Sequence, residues 1–460
     1  MNRRILIGLT LLVVVPALVG YFQWRGVKHL KVQGRPVVEW AMALNGPQDV
    51  QEAEQVIRDT GTAAVPSLIN ALEARDSLLK KPFLAIAPRL PNVVGVRLHR
   101  WLNPYEKERL RLGATRALEL IGPGAERAIP ALGKALRDPS AEIAMHAAFA
   151  LGNLGVPAVS TLINALEAPR DETRFFAIQG LSRAGPEARP AVPELIGILR
   201  ESNSKNAREA AACLGRIGGI AAVHAAIGLL RNPELRIQLR GIQTLSALGP
   251  QARSAVPILL ELVQTGDPEV RKTIIGALGT IQPSTPEVGA LFISALQDND
   301  PEVRAVAAEG LERGDGTEAS SLKALIESLN DPDTEVRRTS LRAITSIASR
   351  NPDLAVTAVP AFAQALGDSD FLVRLYSAQA LASLGPGAMP ALGPLQQALN
   401  DTHPGVQSWA ALALGAQGPG GEPARGALEK LLTHPDKAVA RSARKALEQL
   451  TAVPTTATPN

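Results

Sequence analysis

The chain has 460 residues, of which 46% are hydrophobic, 20% charged and 3% aromatic, with a formal net charge of +4. An ordinary apolar fraction and a small net charge exclude an intrinsically disordered chain. Cys213 is the single cysteine, which excludes an internal disulfide framework.

The charge is unevenly placed. Residues 1–35 hold six basic groups and no acidic one, whereas residues 36–460 hold 42 basic and 44 acidic groups. The basic excess therefore belongs to the N-terminal segment, and the rest of the chain lacks the positive field that nucleic-acid binding draws on. Residues 5–24, ILIGLTLLVVVPALVGYFQW, carry no formal charge. As a helix they would span about 30 Å, one hydrocarbon core. Arg3 and Arg4 precede this stretch, Tyr21 and Trp24 suit its interface, and Arg25 and Lys28 follow. Residues 1–30 are read as a signal anchor with its basic flank. This gives a single-pass membrane protein whose C-terminal part lies outside the cytoplasm. The competing reading is a signal peptide cleaved near Val15-Pro16-Ala17, a loose site that Pro16 weakens, with secretion as the result.

Residues 31–74 read as a degenerate first helical unit, ending in AVPSLINAL at 64–72. Residues 75–105 form a Pro-rich basic insertion, because Pro82, Pro88, Pro91 and Pro104 exclude a long helix there. Residues 75–116 hold ten basic groups against three acidic ones, whereas 36–74 hold one against six. Lys80, Lys81, Arg89, Arg97 and Arg100, with Trp101 and Tyr105, make a candidate patch for an anionic surface or a partner. The alternative is a loop folded back on the chain, with Trp101 as its anchor and its basic groups answering the acidic 36–74 segment.

From 106 to 450 one pattern recurs. GDPEVRKTIIGALGTI (266–281), NDPEVRAVAAEGLERG (299–314), DPDTEVRRTSLRAITSIA (331–348) and SDFLVRLYSAQALASLG (369–385) share an acidic residue four positions before a Val-Arg arginine. AIPALGKAL (128–136), AVPELIGIL (191–199), AVPILLELV (255–263) and AVPAFAQAL (358–366) form a second half-motif. Val373, Ser377, Ala380, Leu381 and Leu384 share one helix face. Leu-Gly-Pro should end each first helix through a left-handed glycine, and the Val-Pro proline should sit in the first turn of the second. Period-two alternation is nearly absent, so no strands are expected. Residues 451–460 are read as a disordered tail.

These motifs resemble HEAT repeats, in particular the short bacterial type related to phycobilisome-lyase HEAT-like repeats, over residues 106–450. The resemblance implies an all-α solenoid, an armadillo-like superhelix of about eleven stacked antiparallel helix pairs behind the N-terminal transmembrane or signal helix. Such arrays are known mainly as scaffolds and binding surfaces. The resemblance also implies an Asp/Arg ladder between repeats, carried here by Asp267, Arg271, Asp300, Arg304, Asp333, Arg337, Asp370 and Arg374. Read from spacing alone, each Asp/Arg couple satisfies helix capping and local i,i+4 ion pairing. Ala144 and Gln407 stand where the arginine is expected and should interrupt the ladder.

Catalytic patterns are sparse. None of His29, His99, His146, His224, His403 and His434 precedes a Glu, so neither H-E-x-x-H nor the His-Glu pairs of deoxyhypusine hydroxylase, an iron-binding HEAT enzyme, can be traced. Cys213 reads as a packing thiol and GPGG at 418–421 as a turn. Tyr376 and Trp409, at similar first-helix positions, are assigned to core or inter-repeat packing. No catalytic, metal or cofactor-binding residue is assigned, and no cofactor, small-molecule substrate or nucleic acid is expected. The functional reading is a non-enzymatic interaction scaffold or adaptor, tethered to a membrane by the N-terminal helix, with a protein or peptide partner. Two alternatives stand beside it: a lyase-like cofactor chaperone or enzyme on the same scaffold, and a nucleic-acid binder resembling HEAT-like DNA glycosylases, which the charge balance disfavours.

Overall fold

The computed structural model describes residues 30–46, 49–74, 106–201, 205–264, 267–281, 285–313 and 319–451. The expected anchor at 1–30, apart from residue 30, lies outside these residues, as do the whole 75–105 insertion and the tail from 452 onward. Among the described residues no helix is long and apolar enough to cross a membrane.

The chain divides into two compact units, Met1–Asn232 and Pro233–Asn460. In the first unit, helices Val37–Ala43, Val50–Thr60 and Val65–Leu72 precede four helix pairs. The pairs are Glu106–Ile121 with Ile129–Ala135, Ala141–Leu154 with Val156–Leu166, Asp171–Ala184 with Val192–Arg200, and Ala207–Ile217 with Gly219–Leu229. In the second unit, six pairs begin at Leu235–Leu248, Pro268–Ile281, Pro301–Arg313, Thr334–Arg350, Phe371–Leu384 and Pro404–Ala416, and the single helix Lys437–Thr451 follows. Within each unit the first helix of one pair packs on the first helix of the next.

The local chemistry explains these elements. In Phe371–Leu384 the buried residues are Val373, Ser377, Ala378, Ala380 and Leu381, a stripe at helical spacing. Asp370 caps the helix by accepting from the Leu372 and Val373 N–H groups, and Asp333 does the same for Glu335 and Val336. Pro193, Pro257 and Pro360 sit in the first turn of their second helices, where a missing N–H costs little. The core is built chiefly from Ala, Leu, Ile and Val; Phe292 and Phe362 are its largest fully buried side chains.

Two expectations need correction. Gly249 and Gly385 have positive φ of 56° and 54°, but their ψ values of −134° and −127° place them outside the left-handed helical basin. That region is open to glycine because it has no Cβ, and it leads into the short 3-10 runs Gly249–Ala255 and Gly385–Ala391. Strands also occur: Lys31–Val32 pairs antiparallel with Arg35–Pro36. Gln33 and Gly34, at φ 49° and 79°, supply the two positive-φ residues of a tight hairpin. The Trp40 indole N–H donates to the Val32 carbonyl at 3.1 Å, which ties this ribbon to the first helix.

Candidate functional site

In the second unit, arginines of successive first helices form a continuous ladder along the inter-repeat turns. Arg271 pairs with Asp298, Arg304 with Asp331, Arg337 with Asp368 and Arg374 with Asp401, each with Nε 2.6–2.7 Å from a carboxylate oxygen. The second arm of the fork, Nη2, donates to the other oxygen of the same carboxylate at 2.8–3.0 Å. Nη1 of Arg304, Arg337 and Arg374 donates to the carbonyls of Asp298, Asp331 and Asp368. Each of these arginines thus holds its own turn by the backbone and the next turn by the side chain.

The acidic partner is not the residue four positions before the arginine. Asp267, Asp300, Asp333 and Asp370 each accept from a backbone N–H at their own helix start, and the local i,i+4 ion pairs expected from spacing do not form. Three ladder acids stand two residues before such a cap, as in Asp331-Pro332-Asp333 and Asp368-Ser369-Asp370, and Asp401 stands two before His403, the cap of the next helix. They accept a further bond from the cap residue's own N–H, as Asp331 does from Asp333. The recurring Asp-x-Asp was the sequence signal for this role.

The first unit carries the same device at Arg111 with Asp138, and a looser form at Arg174, whose Nη1 alone reaches Glu201 while Nη2 pairs with Asp171 on its own helix. At the two expected interruptions both sides of the rung change together. Ala144 faces a repeat whose acid position is Ala168, and Gln407 one whose acid position is His434. Gln407 keeps the backbone half of the arrangement by donating to the Asp401 carbonyl at 2.8 Å. Removing charge on both sides avoids a partly buried ion without a partner, the costly case.

The ladder shifts the proton equilibria of its members. The bond from Arg271 holds Asp298 below the ordinary carboxylate range. Burial pushes Asp331, Asp368 and Asp401 up, but bonds from Arg304, Arg337 and Arg374, with backbone N–H groups, outweigh it and hold all three below that range. A lowered folded-state pKa adds stability that is present above the unfolded carboxylate value of about 3.9 and is lost as pH falls through the folded value. Thermal unfolding followed by circular dichroism should show a flat Tm from about pH 7 to 5 and a fall below about pH 4.

A second polar network crosses three first helices of the first unit. His146 Nδ1 lies 2.8 Å from Glu119 Oε2, and Arg116 Nε donates to His146 Nε2 at 3.2 Å. An arginine can only donate, so Nε2 accepts and Nδ1 carries the imidazole proton toward Glu119. Arg183 reaches the other Glu119 oxygen at 3.2 Å and lies over the Phe149 ring. This network joins helices through residues 27 or more positions apart and had no sequence signal.

Lys80, Lys81, Arg89, Arg97, Arg100, Trp101 and Tyr105 lie outside the described residues. Tyr376 is 40% exposed, which corrects its assignment to packing, and Phe371 on the same helix is equally exposed and stacks on the His403 ring at 4.5 Å. Trp409 is half-buried. His403 and His434 accept from backbone N–H groups at turns. Among the described residues no cluster of three or more His, Cys, Asp or Glu could hold a metal. A cleft of about 380 Å³ opens between two repeats of the second unit, lined by Thr345, Ser349, Val356, Phe362, Ala380 and Leu384. Cys213 is fully buried and burial pushes its thiol up to about 12. A disulfide reagent at mildly alkaline pH should therefore leave it unmodified in the native protein and label it on unfolding.

The HEAT-repeat family model matches residues 98–182, 129–213, 225–312, 289–359, 322–393 and 359–448, well over half of the chain. The chain belongs to the HEAT-repeat family. Solved structures of similar fold include the Kap95:Nup1 complex, at 14% identity and TM-score 0.54, covering 90% of this chain and 66% of that one. Kap121p is similar at 12% identity and TM-score 0.56, covering 90% and 53%. Yeast importin-beta (Kap95p) is similar at 14% identity and TM-score 0.51, covering 90% and 62%. The HEAT-repeat chain thus aligns with between about half and two thirds of the length of these karyopherins, and at such identities the likeness is one of α-solenoid fold. The comparison with curated proteins gave no match.

Proposed function

We propose that this HEAT-repeat protein is a non-enzymatic scaffold or adaptor that binds a protein or peptide partner along its repeats. The observation that carries this reading is the ladder-stiffened stack of the second unit, beside which Phe371 and Tyr376, the exposed large aromatics among the described residues, share one helix. Exposed aromatics on a rigid element are the usual anchors of a protein interface. Ladder carboxylates and guanidiniums, by contrast, already satisfy one another. Solved neighbours of this fold include the Kap95:Nup1 complex and Kap121p bound to the extreme C-terminus of the phosphatase Cdc14p, which supports a protein or peptide as the partner class.

The apolar segment 5–24 supports a further part of the proposal, that the repeats are tethered to a membrane and face away from the cytoplasm. Crosslinking in intact cells, followed by membrane fractionation and external protease, tests both parts. A discrete protein partner whose capture drops at least about tenfold in an F371A/Y376A variant is expected. Stoichiometric capture of a small molecule with product formation would replace the scaffold reading by the enzyme one. Resistance of the repeats to external protease would reverse the orientation, and recovery only in a soluble fraction would remove the tether.

A further inference from the structure

The last described helix, Lys437–Thr451, buries Val439, Ala443, Ala446 and Leu450. Its other face presents Lys437, Arg441, Arg444 and Lys445, all exposed and none in an ion pair with an acidic side chain among the described residues. Asp436 accepts from the Ala438 N–H as Asp333 does from Glu335, which fixes the register of this helix against the internal repeats. In that register Arg444 occupies the position of Ile275, Ala308, Leu341, Ala378 and Ala411, all buried where a further repeat follows. Arg441 occupies the position of Lys272 and Arg338. Those two cations cross a repeat boundary, Lys272 to Glu302 at 2.7 Å and Arg338 to Asp370 at 2.6 Å. The exposed face thus carries cations at the register that elsewhere grips the acidic start of the following repeat, and a charge replaces the apolar side chain that would bury one.

The complementary charge is found on the first described unit. Glu39 and Glu52 lie in the first turns of Val37–Ala43 and Val50–Thr60, and Asp59 lies near the end of the latter helix. All three are exposed and none is in an ion pair among the described residues; Asp59 accepts only from the Gln55 amide. We infer that the basic face of Lys437–Thr451 docks on the acidic first unit of a second copy of this chain, head to tail. Such an interface joins two different surfaces, so it leaves one free at each end and propagates into linear assemblies unless the rotation closes a ring. Contacts between exposed charges make the association weak and salt-sensitive.

The test is sedimentation velocity of the full chain across concentration, in the same mild detergent throughout. The wild-type chain should form a concentration-dependent series of oligomers at about 50 mM salt and fall back to the smallest species at about 500 mM. R441E/R444E and E39K/E52K/D59K should each weaken association about tenfold or more, and mixing the two variants should restore one junction per pair. All five side chains are exposed, and circular dichroism verifies that helix content is kept. An independent arm mixes E52C and R441C chains, since the only native thiol is buried. With dissolved oxygen as the oxidant, a disulfide-linked heterodimer is expected. A wild-type chain that stays at its smallest species at low salt, association indifferent to both reversals, or no crosslink in the mixed sample overturns the proposal. Loss of association in R441E/R444E without loss in the acidic variant also overturns it, and marks the basic face as a site for another anionic partner.

Discussion

Arg337→Ala is expected to lower the stability of the second unit by about 3 kcal/mol, measured by denaturant unfolding, with local opening seen by hydrogen exchange on both sides of the rung. Arg337 and Asp368 are each only 11% exposed in their side chains, and Arg337 donates four hydrogen bonds to Asp368 and to the Asp331 and Pro332 carbonyls. Truncation leaves the Asp368 carboxylate partly buried without its main counter-charge and frees two turn carbonyls. Most of the loss therefore measures the abandoned acid rather than the worth of the pair. It follows that Arg337→Ala/Asp368→Ala should recover more than half of the loss. The native chain supplies the precedent at Ala144 with Ala168 and at Gln407 with His434, where both partners change together. Arg337→Lys should lie between wild type and alanine, because an ammonium keeps the charge but loses the planar fork.

Gly152→Val is expected to cost about 3 kcal/mol in the first unit, again read from denaturant unfolding. A β-carbon at Gly152 would lie 2.6 Å from the Gly180 carbonyl oxygen and 2.9 Å from the Arg183 β-carbon. Gly180 answers with the same closeness, its β-carbon position lying 2.7 Å from the Ala148 carbonyl oxygen. The helices Ala141–Leu154 and Asp171–Ala184 therefore meet through backbone, and a side chain there can only force them apart. Helix propensity argues the other way, since glycine in a helix interior costs about 0.5–1 kcal/mol relative to alanine. Gly197 separates the two effects: a β-carbon there meets nothing within 4 Å. Gly197→Ala should accordingly raise stability by about 0.5–1 kcal/mol.

The ladder shows how far sequence reasoning reaches. The Val-Arg recurrence and the acidic cap were both visible as spacing, and the resemblance to HEAT repeats led to a ladder between repeats. Spacing alone chose the wrong acid, because the nearest carboxylate in sequence is engaged by its own helix N-terminus, while the guanidinium extends outward to the next turn. The pairs Arg271–Asp298, Arg304–Asp331 and Arg374–Asp401 lie 27 residues apart and Arg337–Asp368 lies 31 apart. The four extra residues in that repeat amount to about one helical turn, so its faces are preserved. Tyr376 was misjudged for a related reason. Periodicity says that a residue is on a helix, but whether its face meets a neighbour depends on the rotation of the whole repeat. The Glu119–His146–Arg116 network could not be inferred, since its members share no motif and meet only when two repeats stack.

The repeat pattern by itself determined the all-α class, the helix-pair unit, the Pro-initiated second helices and the stripe of small apolar residues that each pair buries. Those features are local: they follow from periodicity, capping and turn chemistry within some thirty residues, and repetition amplifies the signal. The tertiary structure alone decided which carboxylate each arginine grips, where two helices approach so closely that only glycine fits, and which of the sparse aromatics face solvent. All three depend on the offset between neighbouring repeats, a distance that no single repeat encodes.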